Sequence, residues 1–204
     1  MTITIKDKIK ILIADDHPIF RQGLKHVFSE TQNMEVADEA ASGFELLNKV
    51  RAHDFDVVLL DISMEGTSSL DTLKQLKIER PKLPVLVLSV YPEDSYAVRF
   101  IKSGASGYLN KEADLNVLVE AVQKVAQGRK YASPALTEKL AFDFADRDKP
   151  PHEYLSDREY QVYSMIVVGK SLTEIAKELS LSVKTIGTHR SHILEKMRMK
   201  NNAQ

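Results

Sequence analysis

The chain contains no cysteine. Disulfides, thiolate metal sites and a cysteine nucleophile are therefore excluded. No apolar run approaches the roughly 18 residues that a membrane-spanning helix needs. The N-terminus, Met1-Thr-Ile-Thr-Ile-Lys-Asp-Lys8, lacks an apolar core segment and a small-residue cleavage site, so no signal peptide is expected and a cytoplasmic location follows as the expectation. Excess charge is also missing: 28 Lys+Arg stand against 29 Asp+Glu, a net of -1. Bulk charge therefore does not hold this protein to nucleic acid or to a membrane surface. No internal repeat or low-complexity segment is present.

What is present is an ordinary globular composition, with 43% hydrophobic residues in a chain of 204. That length predicts between one and two domains. The near-zero net charge hides an asymmetry. Residues 151–204 hold 8 Lys/Arg against 6 Asp/Glu, and residues 1–150 hold 20 against 23. The last 23 residues set Lys184, Arg190, Lys196, Arg198 and Lys200 against Glu195 alone. An acidic front and a basic tail suggest two different tasks.

Short Val/Ile/Leu-rich runs at Ile9–Ala14, Asp56–Asp61 and Leu83–Ser89, with weaker ones at Met34–Asp38 and Ala105–Leu109, predict strands buried on both faces. Helical periodicity lies between them: Phe20, Leu24, Val27 and Phe28; Leu46, Leu47 and Val50; Leu70, Leu73 and Leu76; Val98 and Ile101; Leu115, Leu118, Val119 and Val122. Strand and helix alternate five times, which predicts a doubly wound, parallel (βα)5 α/β domain over residues 1–128. The β-branched runs argue against the rival helical bundle. Residues 129–153 read as a linker with a short helix from Pro134 to about Phe144, closed by Pro150-Pro151. Residues 154–204 read as a small all-α domain. Ser156 with Glu159, and Ser171 with Glu174, have the spacing of capping boxes. Val162, Tyr163, Ile166 and Val167 form the expected inward face of its first helix. Ile175, Ala176 and Leu179 do so for the second, and the third starts at Ser182 after a short turn, as in a helix-turn-helix.

In an open α/β sheet, ligands bind outside the carboxyl ends of the strands. Along that edge the sequence places Asp15 and Asp16, then Asp61, Ser89 and Lys111. Adjacent carboxylates repel unless a cation sits among them. All-oxygen ligands select a hard divalent ion such as Mg2+. A carboxylate beside such an ion can attack phosphorus and become an aspartyl phosphate. Asp61 stands alone on the central strand and is the expected nucleophile, with Asp15 and Asp16 better placed to hold metal. Lys111 would neutralise phosphoryl charge.

Asp15-Asp16-His17-Pro18, Asp61-Ile-Ser-Met64, Ser89 and Lys111 resemble the receiver domain of two-component response regulators, and Ile13 to Leu24 resembles its NarL/FixJ branch. The resemblance implies Asp61 as phospho-acceptor and Mg2+ held by Asp16, Asp61 and the backbone carbonyl of Ser63, with Asp15 acting through the metal's water shell. It implies Ser89 and Lys111 on the phosphoryl oxygens, and Tyr108 as the aromatic that turns inward when Ser89 moves. Slow self-dephosphorylation and Mg2+-dependent self-phosphorylation would be the only enzymatic activities. The sequence departs from the family at Glu65 and Ser69, where Pro and Gly are usual, and has Val90 where a smaller residue is favoured. Altered Mg2+ affinity or slower phosphorylation is expected from Glu65.

Leu155–Glu159 and Ser171–Arg190 resemble the LuxR-type helix-turn-helix. The third helix is the candidate recognition helix. Lys184, Gly187, Thr188 and Ser191 share a face. Lys184, Thr185, His189, Arg190 and Lys200 would reach phosphates, and Thr188 and Ser191 would reach base edges. Lys196 and Arg198 read as solvated charges. His26, His53, His152 and His192 read as surface or packing residues without a metal role. The family's fourth helix would begin where the chain reaches Asn201–Gln204, so weak DNA-driven dimerisation is expected.

The resemblance thus implies a transcription regulator whose partners are a sensor histidine kinase, promoter DNA and a second copy on phosphorylation, with no membrane. Phosphorylation would change the face around Ser89, Tyr91 and Tyr108. Two rivals differ in kind. A phosphatase of the haloacid dehalogenase type needs an aspartate two residues after its nucleophile, and Ser63 stands there instead. A phosphate-independent DNA-binding protein would bind its operator irrespective of Asp61.

Overall fold

The structure, a computed structural model, describes residues 8–64, 68–90, 93–145, 155–197 and 199. Expectations for Glu65, Tyr91, Pro150-Pro151, His152, Arg198, Lys200 and Asn201–Gln204 lie outside those residues. The chain divides into two compact units, residues 1–138 and 139–204.

The first unit alternates β1 (Ile9–Ala14), α1 (Pro18–Ser29), β2 (Met34–Ala40), α2 (Gly43–Ala52), β3 (Val57–Asp61), α3 (Ser69–Glu79), β4 (Val85–Ser89), α4 (Glu93–Lys102), β5 (Gly107–Asn110) and α5 (Leu115–Ala126). The five strands are parallel in the order β2-β1-β3-β4-β5. β3 and β4 are buried at every position, as near-continuous apolar runs require when helices cover both faces. Ile11, Ile13, Val57, Leu59, Leu86, Leu88 and Leu109 share one core with Leu24 and Phe28 of α1 and with Leu118, Ala121, Val122 and Val125 of α5. Their strand neighbours Leu12, Val58, Leu60, Val85 and Val87 point the other way and are equally buried.

β2 is longer than expected because Glu39 and Ala40 continue it. It also carries an irregularity: Ile11 pairs with Val36 but Leu12 pairs with Asp38, so Ala37 bulges out of register. A bulge flips the facing of every later side chain. Two helix faces differ from the expected ones. Among the described side chains of α4, Tyr96, Ala97 and Phe100, rather than Val98 and Ile101, are the buried ones, and Leu115 at the start of α5 is exposed.

Residues 129–131 stay with the sheet. Tyr131 bridges to Gly107 and donates its N–H to the Ser106 carbonyl at 2.9 Å. A Cβ on Gly107 would lie 2.8 Å from the Tyr131 carbonyl oxygen, so only glycine admits this approach. Helix α6 (Pro134–Ala145) follows.

In the second unit, α7 (Asp157–Val167), α8 (Leu172–Glu178) and α9 (Val183–Met197) are joined by short turns. Both expected capping boxes form, at Ser156/Glu159 and Ser171/Glu174. Tyr160, Val162, Met165, Ile175, Ala176, Leu179, Ile186 and Ile193 are buried. Val167 faces solvent, so the inward face of α7 is rotated towards Tyr160 and Met165. Among the described residues no helix is long and apolar enough to cross a membrane.

Candidate functional site

The carboxyl ends of β1 and β3 lie side by side, with Ala14 paired to Leu60. This neighbourhood brings residues 15, 16 and 61 together, although 45 positions separate Asp61 from Asp16. One ligand atom from each of Asp15, Asp16, His17 and Asp61 lies within 4.8 Å of the others. Lys111, just past β5, reaches across the edge. Its Nζ lies 2.7 Å from Asp15 Oδ2 and 2.9 Å from Asp61 Oδ2. Lysine exposure is 8%, and each carboxylate is 1% exposed. The ammonium also sits 4.5 Å from the centre of the Phe20 ring, a cation–π contact.

Burial raises the Asp61 carboxyl above the ordinary carboxylate range, the Lys111 charge opposes that shift, and Asp15 adds to it. One ammonium therefore serves two buried carboxylates, with Asp16 close by. This excess of hard oxygen donors fits a divalent cation.

Ser63 donates its N–H to Asp61 Oδ1 at 3.2 Å, which turns the chain sharply after β3. Ser89 and Tyr108 are fully buried. Lys111 N–H donates to the Ser89 carbonyl at 2.7 Å, so the β4 and β5 ends are tied together. The Tyr108 ring packs against Phe100, with centroids 6.4 Å apart. Ser69 is buried at the first position of α3, and its hydroxyl has no hydrogen-bond partner among the described residues.

His17 also belongs to this cluster, although the sequence offers no second histidine beside it. In the structure its Nδ1 lies 3.1 Å from Asp15 Oδ1, 2.8 Å from Asp16 Oδ1 and 3.8 Å from Asp61 Oδ2, while its ring remains largely exposed. Its position immediately after two acidic residues was the available signal.

On α9, Lys184, Thr188 and Ser191 are exposed, and Thr185, Gly187, His189 and Arg190 are half-buried. His189 and Arg190 flank the buried side beside Ile186 and Ile193. Arg190 lines a groove with Tyr163, Ile166, Leu194 and Met197. Burial, with the neighbouring Arg158 charge, holds the His189 imidazole below its ordinary value. Lys196 is exposed, as expected of a solvated charge, and its Nζ also lies 2.6 Å from Glu159 Oε2 at the start of α7.

A parallel sheet with an acidic pocket at its carboxyl edge, followed by a capped helix-turn-helix, defines a switch domain linked to a DNA-binding domain. Residues 11–123 match the family described as response regulator receiver domain, and residues 153–204 match bacterial regulatory proteins of the luxR family. The chain is 34% identical over 197 residues to the response regulator GacA of Pseudomonas protegens, covering 96% of this chain and 92% of that protein. It is 34% identical to the transcriptional regulatory protein DegU of Brevibacillus brevis, covering 98% and 92% respectively. The crystal structure of the response regulator ChrA, from a heme-sensing two-component system, superposes with a TM-score of 0.55 at 28% identity, covering 96% of this chain and 93% of that one. This chain belongs to the response regulators, in the NarL/FixJ branch that joins a receiver to a LuxR-type helix-turn-helix.

Proposed function

We propose that this response regulator accepts a phosphoryl group on Asp61 from a sensor histidine kinase and thereby controls how its helix-turn-helix engages promoter DNA. The observation that carries this reading is Lys111 Nζ lying between Asp15 Oδ2 and Asp61 Oδ2 in a cluster whose other members are Asp16 and His17. Mg2+ would be held by Asp16, Asp61 and the Ser63 carbonyl, with Asp15 acting through bound water. When present it supplies positive charge opposite the phosphoryl oxygens.

The chain's own residues do the rest. A carboxylate oxygen of Asp61 attacks phosphorus, a P–O bond is made, and the bond from phosphorus to the donor's leaving group breaks. Lys111 neutralises an equatorial phosphoryl oxygen once its hold on Asp61 Oδ2 is released. The Ser89 hydroxyl donates to another oxygen, while the Tyr108 ring is already inward, fully buried against Phe100, and needs no further turn. Water attack on phosphorus later breaks the bond to the Asp61 oxygen, releasing inorganic phosphate and returning Asp61 to a carboxylate, a slow self-dephosphorylation. The modified face, shared by two copies, favours a dimer and so presents two recognition helices to a two-fold operator. Lys184, Thr185, His189, Arg190 and Lys200 would anchor phosphates. Gly187, Thr188 and Ser191 would line the base edges. In this reading the receiver comprises residues 1–128, the linker 129–153 and the DNA-binding domain 154–204.

Intact mass after incubation with Mg2+ and a small phosphodonor tests the reading, followed by operator binding. Wild type gains one phosphoryl group and changes its DNA affinity, whereas Asp61→Asn does neither. Equal phosphorylation of Asp61→Asn, or DNA affinity blind to phosphorylation, would overturn it.

A further inference from the structure

Every polar atom of Asp15 is engaged. Its N–H donates to the Ala40 carbonyl at 3.0 Å, Oδ1 accepts from His17 N–H at 2.8 Å, and Oδ2 meets Lys111. Its carbonyl oxygen accepts from Arg21 Nη1 at 2.6 Å. Arg21 sits in the first turn of α1 and is 17% exposed, and its Nε donates to Glu39 Oε2 at 3.2 Å. The other oxygen of Glu39 is taken by Lys25 Nζ at 2.7 Å.

The β2 bulge makes this possible. Met34 and Val36 point towards α1, where they join its core. Strict alternation would send Asp38 the same way. Because Ala37 is out of register, Asp38 instead meets Lys49 of α2 at 2.6 Å, and Glu39 meets Arg21 and Lys25 of α1. The bulge thus hands α1 a carboxylate that fixes the Arg21 guanidinium behind the acidic pocket. There the guanidinium grips the backbone of the metal-side loop, and because its charge by itself disfavours a cation, its contribution to metal binding is the position it gives Asp15.

We propose that Arg21, held by the bulge-presented Glu39, is a positioning residue that sets the receiver's affinity for its divalent cation. The inference rests on the Asp61–Mg2+ reading above. Groups that orient metal ligands from outside the coordination shell typically change affinity by roughly 10–100-fold when removed. Arg21→Gln is expected to raise the calorimetric dissociation constant for Mg2+ by about that factor. It should also raise the Mg2+ concentration for half-maximal phosphorylation, with the rate at saturating Mg2+ retained. Glu39→Ala, which keeps Arg21 but frees it, should weaken Mg2+ in the same direction, guarding against a folding defect peculiar to one variant. Lys25→Met removes a neighbouring charge but leaves both Arg21 bonds, and should bind Mg2+ as wild type does. Unchanged Mg2+ affinity in folded Arg21→Gln, or an equal loss in Lys25→Met, overturns the clamp while leaving Asp61 phosphorylation intact. Wild-type protein that binds no Mg2+ and takes no phosphoryl group would overturn both readings.

Discussion

Replacing Lys111 by Met isolates the electrostatics of the pocket. Methionine keeps much of the aliphatic length beside Phe20 and removes the charge. An exposed ion pair contributes about 0–1 kcal/mol. Lys111 is 8% exposed and its two partners 1%, so it falls at the other limit, where removing one partner of a buried pair costs about 3–5 kcal/mol. The variant leaves Asp15 and Asp61 facing each other without a cation. Asp61 is already raised by burial, and loss of the opposing ammonium raises it further. A carboxyl whose folded value exceeds its unfolded value binds more protons in the native state, so stability falls as pH rises. The deficit of Lys111→Met relative to wild type should therefore be greatest near pH 8 and shrink towards pH 5. Urea unfolding of both proteins, in chelator and across that range, reads it directly. A deficit under about 1 kcal/mol at pH 8, which is the surface-pair limit, or one that does not change with pH, would refute the reasoning.

Three smaller perturbations test other parts of the structure. Burial and the nearby Lys130 push the Lys77 ammonium down to about 8. Because the native state then binds fewer protons than the unfolded chain, this group makes the receiver more stable as pH rises from 8 to about 10, the ordinary lysine value. An NMR titration should place the Lys77 midpoint near 8, and Lys130→Met should raise it. A midpoint at the ordinary lysine value would remove the argument. Gly43→Ala should destabilise the receiver by about 1–3 kcal/mol, since the new Cβ would lie 2.3 Å from Thr72 Oγ1 where α2 meets α3. A melting temperature equal to wild type would contradict that close approach. Gly187→Ala meets nothing within 4 Å and should stabilise the helix-turn-helix by up to about 1 kcal/mol, which a lowered melting temperature would disprove.

The sequence alone determined the elements whose signals are local. Apolar runs marked β1, β3 and β4, since residues buried on both sheet faces cannot alternate with polar ones, while β2 and β5 gave weaker runs. Ser156 and Ser171 marked helix starts, because a cap and its partner lie three residues apart. The acidic edge was legible too, since Asp15, Asp16, Asp61, Ser89 and Lys111 all sit at the ends of those runs. Tertiary structure decided whatever depends on register and on which face a residue meets. The skipped Ala37 in β2 exchanges the facing of Asp38 and Glu39, and no local pattern announces it. Only the pairing of β1 with β3 brings Asp61 to Asp15, Asp16 and His17, and only the packing of α7 on α9 sets the exposed Lys196 against Glu159. A strand or a cap follows from neighbours along the chain, whereas a bulge, an ion pair or a pocket is fixed by which distant groups share the space that the core leaves.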